Sequence, residues 1–132
     1  MKFYFHPDAE AEFYKAIEYY EQFQLGLGFE FAKEVYATIT RIIQYPDAWS
    51  ALSKNSRRCL VSRFPYGVIY QVKSRSLRII AVAHLNRRPG YWEERLQQDR
   101  SLQRLPAVRQ GRLTATTDLK RYPYFHFKVF DL

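Results

Sequence analysis

One cysteine, Cys59, stands in a chain of 132 residues. That excludes an intramolecular disulfide and a cysteine-rich zinc site, and it fits a reducing cytoplasm. Long apolar runs are also missing. None approaches the roughly 20 residues that a membrane span needs, and the opening MKFYFHPDAEAEF meets its acidic residues too early for a secretory signal. The expectation is a soluble cytoplasmic protein with no membrane association. There is no internal repeat and no low-complexity tract. His6 and His126 lie far from His84, and no carboxylate pattern surrounds them, so neither a metal nor any other cofactor is expected. Acidic side chains are the scarcer sign, 13 against 21 Lys and Arg, for a formal net charge of +8. This balance favours anionic partners without choosing among nucleic acid, acidic protein and membrane surface.

What is present is core-forming material. Hydrophobic residues make up 47% and aromatics 17% of the chain, enough for one packed domain, with or without a tail. Residues 2–6 (KFYFH) suit a first strand. Pro7 then opens a helix, because its missing N–H is one that a helix start leaves unpaired, and Asp8, Glu10 and Glu12 complement the helix dipole. Ala9, Phe13, Ala16, Ile17, Tyr20 and Phe23 recur at helical spacing. Gly26 and Gly28 make a turn, and Phe31, Ala32, Val35, Ile39, Ile42 and Ile43 mark a second helix ending before Pro46. So short a connection predicts an antiparallel helical hairpin. Residues 46–56 read as a loop. Residues 57–64, 67–73 and 77–85 read as strands of an antiparallel meander, separated by Pro65–Tyr66–Gly67 and Ser74–Arg75–Ser76. A short helix is expected over 91–98. Helices and strands are segregated, which predicts an α+β domain: an N-terminal strand and a helical hairpin packed on a small antiparallel sheet.

Charge is segregated as well. Residues 1–50 carry four basic and eight acidic residues, net −4, and residues 51–97 carry ten and two, net +8. The positive charge therefore belongs to the sheet half, and a sheet face turned away from the helices would attract anions. Cations concentrate where AVAHLNRRPGYW, residues 81–92, ends its apolar run in His84, Arg87 and Arg88. His84 is read first as a structural strand-end histidine and second as an acid or base. Arg87 and Arg88 could clamp a phosphate or an acidic protein segment. Trp92 is expected to anchor the core, and Tyr91 either to anchor or to stack on a base. Arg95 is assigned to Glu94 or Glu93. Residues 98–132 carry seven basic and three acidic residues, net +4. Their end, YFHFKVF, alternates like a strand that could add to a sheet edge.

The segments HPDAEAEFYKAIEYYE, LGLGFEFAKEV, RRCLVSRFPYGVIYQV and IIAVAHLNRRPGYWEER, in that order, resemble the RelE/ParE superfamily of type II toxin–antitoxin toxins over residues 1–97. Phe64–Pro65–Tyr66 entering a strand, and Ala-Val-x-His followed by Arg-x-Pro-x-Tyr-Trp, are the specific parts. They resemble the ParE-like, plasmid-stabilisation branch. Members of that branch usually stop soon after this motif, so residues 98–132 form an additional C-terminal extension. The resemblance implies a growth-inhibiting toxin neutralised by a cognate antitoxin. RelE-like members cleave messenger RNA on the ribosome, and ParE-like members inhibit DNA gyrase.

For the nuclease, the resemblance implies lysines and arginines on the sheet with a late tyrosine. Aligned on Tyr66 and Tyr70, an arginine of that set falls on Gly67. The two lysines fall near Arg58 and Leu60, the second arginine near Asn86, Arg87 or Arg88, and the tyrosine near Tyr91 or Trp92. Arg58 or Arg63 could supply the missing charge from another position. The candidate site residues are thus Arg58, Arg63, His84, Arg87, Arg88 and Tyr91. The absence at Gly67 favours gyrase inhibition. The alternatives are a metal-independent, ribosome-dependent endoribonuclease and an inactive antitoxin- or nucleic-acid-binding remnant.

Overall fold

The first helix starts where Pro7 fixes its first turn and the His6 side chain accepts the backbone N–H of Asp8 at 3.0 Å. In the computed structural model, which describes residues 1–98, helix α1 runs Pro7–Phe23 and α2 runs Leu27–Gln44. They follow strand β1 (Lys2–Phe5), and strands β2 (Ser50–Ser53), β3 (Ser56–Leu60), β4 (Tyr66–Lys73) and β5 (Ser76–His84) come after them. A 3₁₀ helix spans Glu93–Gln97. Residues 99–132 of the expected extension, including the strand-like stretch 124–130, lie outside the described residues.

The hairpin between the helices is held by one carboxylate. Glu21 accepts the N–H groups of Gly26 at 2.8 Å and Gly28 at 3.0 Å. It thereby satisfies donors that the start of α2 leaves unpaired and places negative charge at the positive end of its dipole. Gly26 needs its left-handed backbone, φ +88°, whereas Gly28 is needed for space: a Cβ there would lie 2.6 Å from the Ile17 carbonyl oxygen.

The five strands form one mixed sheet in the order β1-β5-β4-β3-β2. The meander β3-β4-β5 is antiparallel as expected, while β1 pairs parallel with β5, Lys2 opposite Ser76 through Phe5 opposite Ile79. The parallel pairing follows from the two-helix crossover that separates β1 from the rest of the sheet. Ser74 and Arg75, both at positive φ (52° and 62°), make the tight β4–β5 turn. This is the backbone that a two-residue hairpin between twisted strands requires.

Both helices cover one face. Phe13, Ala16 and Ile17 of α1 and Phe31, Val35, Tyr36 and Ile39 of α2 are buried against Cys59, Val68, Tyr70, Leu77, Ile79 and Val82. Each such large apolar side chain contributes about 1.5–3 kcal/mol of transfer free energy. A smaller cluster, Ile69, Ile80, Ala81, Ala83, Trp92 and Leu96, lies on the opposite face. Pairing skips Ile80 between Ile69–Ala81 and Tyr70–Ile79, a bulge that lets Ile80 and Ala81 join the same cluster.

Several expected boundaries are corrected. Residues 50–53 are a strand rather than loop; all four are exposed, so no buried face gave them a period. The strand expected over 57–64 stops at Leu60, because the chain bends through Arg63 at φ 71°. His6 caps α1 instead of extending β1, and the expected helix over 91–98 is a short 3₁₀ turn. Phe23, in helical spacing with the apolar residues of α1, is 75% exposed at its end. No helix among the described residues is long and apolar enough to cross a membrane.

Candidate functional site

The sheet face away from the helices is only partly covered. The segment after β5 folds back over it and buries Trp92 and Leu96, which fulfils the core role expected of Trp92. Between this segment and strands β2 and β3 lies a cleft of about 270 Å³, whose lining includes Leu52, Arg58, His84, Arg87, Arg88 and Tyr91. Five of the six candidate residues are thus brought together from strands 26 positions apart and from one loop. Arg63 is not among them. It lies 3.5 Å from Glu34 of α2 and over the Phe64 ring, on the helical side of the molecule.

Arg58 reaches the cleft by crossing β4. In register it sits opposite Ile69, with Leu60 opposite Gly67. A Cβ built on Gly67 would lie 3.0 Å from both Cγ and Cδ of Arg58. The aliphatic stem of Arg58 therefore occupies the space that a side chain at 67 would take. Gly67 shows no left-handed backbone, so the glycine serves space rather than conformation.

His84 closes β5, opposite Tyr66 in register and edge-on to its ring at 5.1 Å. Its Nδ1 accepts the backbone N–H of Asn86 at 3.0 Å. The neutral ring consequently carries its proton on Nε2, as a donor. The backbone contact is the kind expected of a strand-end histidine, and one ring nitrogen remains for the cleft.

Tyr91 and Arg87 are tied to Glu12 of α1, which the sequence assigned to the helix dipole and not to the site. The Tyr91 hydroxyl donates to Glu12 at 2.8 Å, and Arg87 lies 3.7 Å from the same carboxylate with its guanidinium 3.8 Å from the Tyr91 ring centroid. Glu12 also accepts the Val82 N–H at 3.1 Å and two bonds from Arg95 at 3.0 Å. Arg95 therefore pairs with Glu12 and not with Glu93 or Glu94. Burial and then the hydrogen bond to Glu12 push the Tyr91 phenol well above its ordinary pKa. The one available signal for Glu12 was its place on α1, on the face that turns towards the sheet.

Arg58 and Arg88 make no ion pair or side-chain hydrogen bond among the described residues. The cleft thus offers two unneutralised guanidinium groups and an imidazole N–H, with Glu93 the one carboxylate among its lining residues. Among the described residues, no group of three or more His, Cys, Asp or Glu side chains could hold a metal ion.

This arrangement, a helical hairpin on one sheet face and a basic cleft on the other, coincides with a sequence match. Residues 3–89 match the family described as ParE toxin of type II toxin-antitoxin system, parDE. The chain belongs to that family. Its fold is similar to that of a solved structure, the chromosomal ParDE TA system from P. aeruginosa, with a TM-score of 0.54 at 13% identity. The similarity covers 64% of this chain and 95% of that one. No curated protein matches the sequence significantly.

Proposed function

We propose that this ParE-family toxin arrests growth in the cytoplasm by binding DNA gyrase, is neutralised by a cognate antitoxin, and does not cut RNA. The observation that carries this reading is the state of Tyr91. Metal-independent RNA cleavage needs a group free to take or give a proton beside the reacting phosphate. The Tyr91 hydroxyl is instead committed to Glu12 at 2.8 Å, and its ring lies against Arg87. With Gly67 at the position of an expected nuclease cation, the cleft has donors for binding an anion and lacks an assembled acid–base pair.

One observation favours a second reading. Arg58 passes over Gly67, which would return a cation to that region, and Nε2 of His84 could act on a proton. A ribosome-dependent endoribonuclease is the activity those two groups would serve.

Inducible expression of the full chain separates the readings. Growth arrest with intact transcripts, together with inhibition of supercoiling by purified gyrase, is the expected result. Codon-positioned transcript cuts with unaffected gyrase would establish the nuclease instead. Normal growth would leave an inactive antitoxin- or nucleic-acid-binding remnant.

A further inference from the structure

Helix α1 ends in large apolar side chains that the described fold leaves exposed. Tyr19 and Phe23 are 61% and 75% exposed, and Leu25, in the turn that follows, is 82% exposed. Tyr19 and Phe23 are four residues apart and therefore share a helix face. Exposed apolar side chains grouped in this way mark a contact surface. We propose that residues 119–130 of the same chain, LKRYPYFHFKVF, dock on the turn end of the helical hairpin and cover Tyr19, Phe23 and Leu25. The inference goes beyond the proposed function and does not depend on whether the toxin acts on gyrase or on RNA.

Charge and composition choose this occupant. The hairpin, residues 7–44, carries seven acidic and three basic residues, net −4. Residues 119–130 carry Lys120, Arg121 and Lys128 and no acidic residue, net +3. They also bring Tyr122, Tyr124, Phe125, Phe127 and Phe130, and aromatic side chains contribute large apolar area to a contact. A second copy docked hairpin to hairpin would set like charge against like. The sheet half, net +8 over residues 51–97, repels a basic segment, so the hairpin is the face that attracts it.

The tether is long enough and starts in the right place. Gln98, the last described residue, accepts a hydrogen bond from His6 at 2.6 Å, and His6 caps the first turn of α1. The extension thus departs beside one end of α1, and the apolar patch lies at the other end. The 17 residues of α1 separate the two by about 25 Å. The 20 residues 99–118 can extend to about 65 Å, which spans that distance with slack. A tethered segment acts at an effective concentration of the order of millimolar. A contact too weak to hold a free partner can therefore hold this one.

The patch is open to a chemical reporter. Gln24 is exposed between Phe23 and Leu25, so Gln24→Cys adds a thiol there without removing either apolar side chain. The only other thiol, Cys59, is 2% exposed and labels slowly for that reason. Gln22→Cys, exposed on the same end of α1, is a second reporter. Lys54→Cys, exposed between the outer strands β2 and β3, is the control.

The test is the rate of maleimide labelling of each reporter in the purified full chain. The expected result is that Phe125→Asp with Phe127→Asp accelerates labelling at both hairpin reporters about tenfold, the protection given by a docked state favoured tenfold. Lys120→Gln with Arg121→Gln should accelerate it in the same direction. The Lys54→Cys thiol should label at one rate in every background, and dilution should leave the hairpin protection unchanged, because the contact lies within one chain. Rates at the hairpin that are indifferent to either pair of substitutions would overturn the proposal. Equal protection at Lys54→Cys would place the segment on the sheet edge and overturn it as well. Protection that fades on dilution would assign the patch to a second copy, with the same consequence.

Discussion

Arg95 places both terminal guanidinium nitrogens 3.0 Å from the carboxylate of Glu12, 83 residues earlier in the chain. Their partners explain the distance. Strand β1 stops pairing with β5 at Phe5–Ile79, yet β5 continues to His84. Beyond that point Arg95 donates to the Ile80 carbonyl at 3.0 Å, and Glu12 accepts the Val82 N–H at 3.1 Å. Two side chains thus satisfy the sheet edge where a longer strand would have done so. They also fasten the cleft loop to α1.

Breaking this pair should be costly, because both side chains are mostly buried (13% and 14% exposed). Glu12→Ala or Arg95→Ala is expected to lower stability by about 3 kcal/mol, the cost of leaving one buried charge unpaired. The double variant should lose less than the sum of the two, since neither charge is then orphaned. Denaturant unfolding of the four proteins measures the coupling.

Tyr91→Phe removes one hydrogen bond to Glu12 but keeps the ring under Arg87. The expected stability loss is about 1–2 kcal/mol. Growth arrest should persist, because the hydroxyl is assigned no chemical step. Loss of arrest from a chain that still melts cooperatively near the parent temperature would return Tyr91 to a catalytic role.

His6 gives the fold a pH dependence. Its Nδ1 accepts from Asp8, so the neutral ring donates from Nε2 to the side-chain oxygen of Gln98 at 2.6 Å. Burial holds its pKa below the ordinary value, against the raising effects of Gln98 and Asp8. The folded state therefore favours the neutral ring. Its contribution is fully present above a pH of about 6.5, the unfolded value, and is lost as pH falls towards the folded pKa. His6→Asn keeps a helix-capping acceptor without a titrating ring. Thermal unfolding between about pH 7 and 5 should show a shallower loss of stability in that variant.

Gly28→Ala tests the close crossing of the helices. Alanine is the better helix former, but its Cβ would meet the Ile17 carbonyl oxygen at 2.6 Å. A net destabilisation of about 1–3 kcal/mol is expected from overpacking against backbone. Equal or greater stability would show that the helices can separate there without loss.

The helical hairpin was legible because burial on one side imposes a 3.6-residue period, and Phe13, Ile17, Phe31, Val35 and Ile39 keep it. Strands β4 and β5 were legible from their β-branched content and the turn between them. β2 was not, because an exposed edge strand has no buried face to impose alternation. The register break at Ile80 was hidden as well: an unbroken apolar run reads the same with or without a bulge.

The candidate site divides in the same way. His84, Arg87, Arg88 and Tyr91 were found because cations and aromatics crowd a single turn. Arg58 was found through the family resemblance, and Arg63 was placed with it although it faces Glu34 on the helical side. Arg63 and Arg58 are near neighbours in sequence, but the bend after β3 separates them in space.

The sequence by itself determined the α+β class, the helical hairpin, the family and the concentration of positive charge in the sheet half. Each of these depends on local periodicity, composition or motif order. Only the tertiary structure decided which charges are neutralised and which remain available. Glu12 meets Tyr91, Arg87 and Arg95 because α1 packs beside the open edge of β5, and Arg58 enters the cleft because the neighbouring strand presents Gly67. Such pairings depend on strand order and side-chain direction in three dimensions, which residue spacing along the chain does not encode.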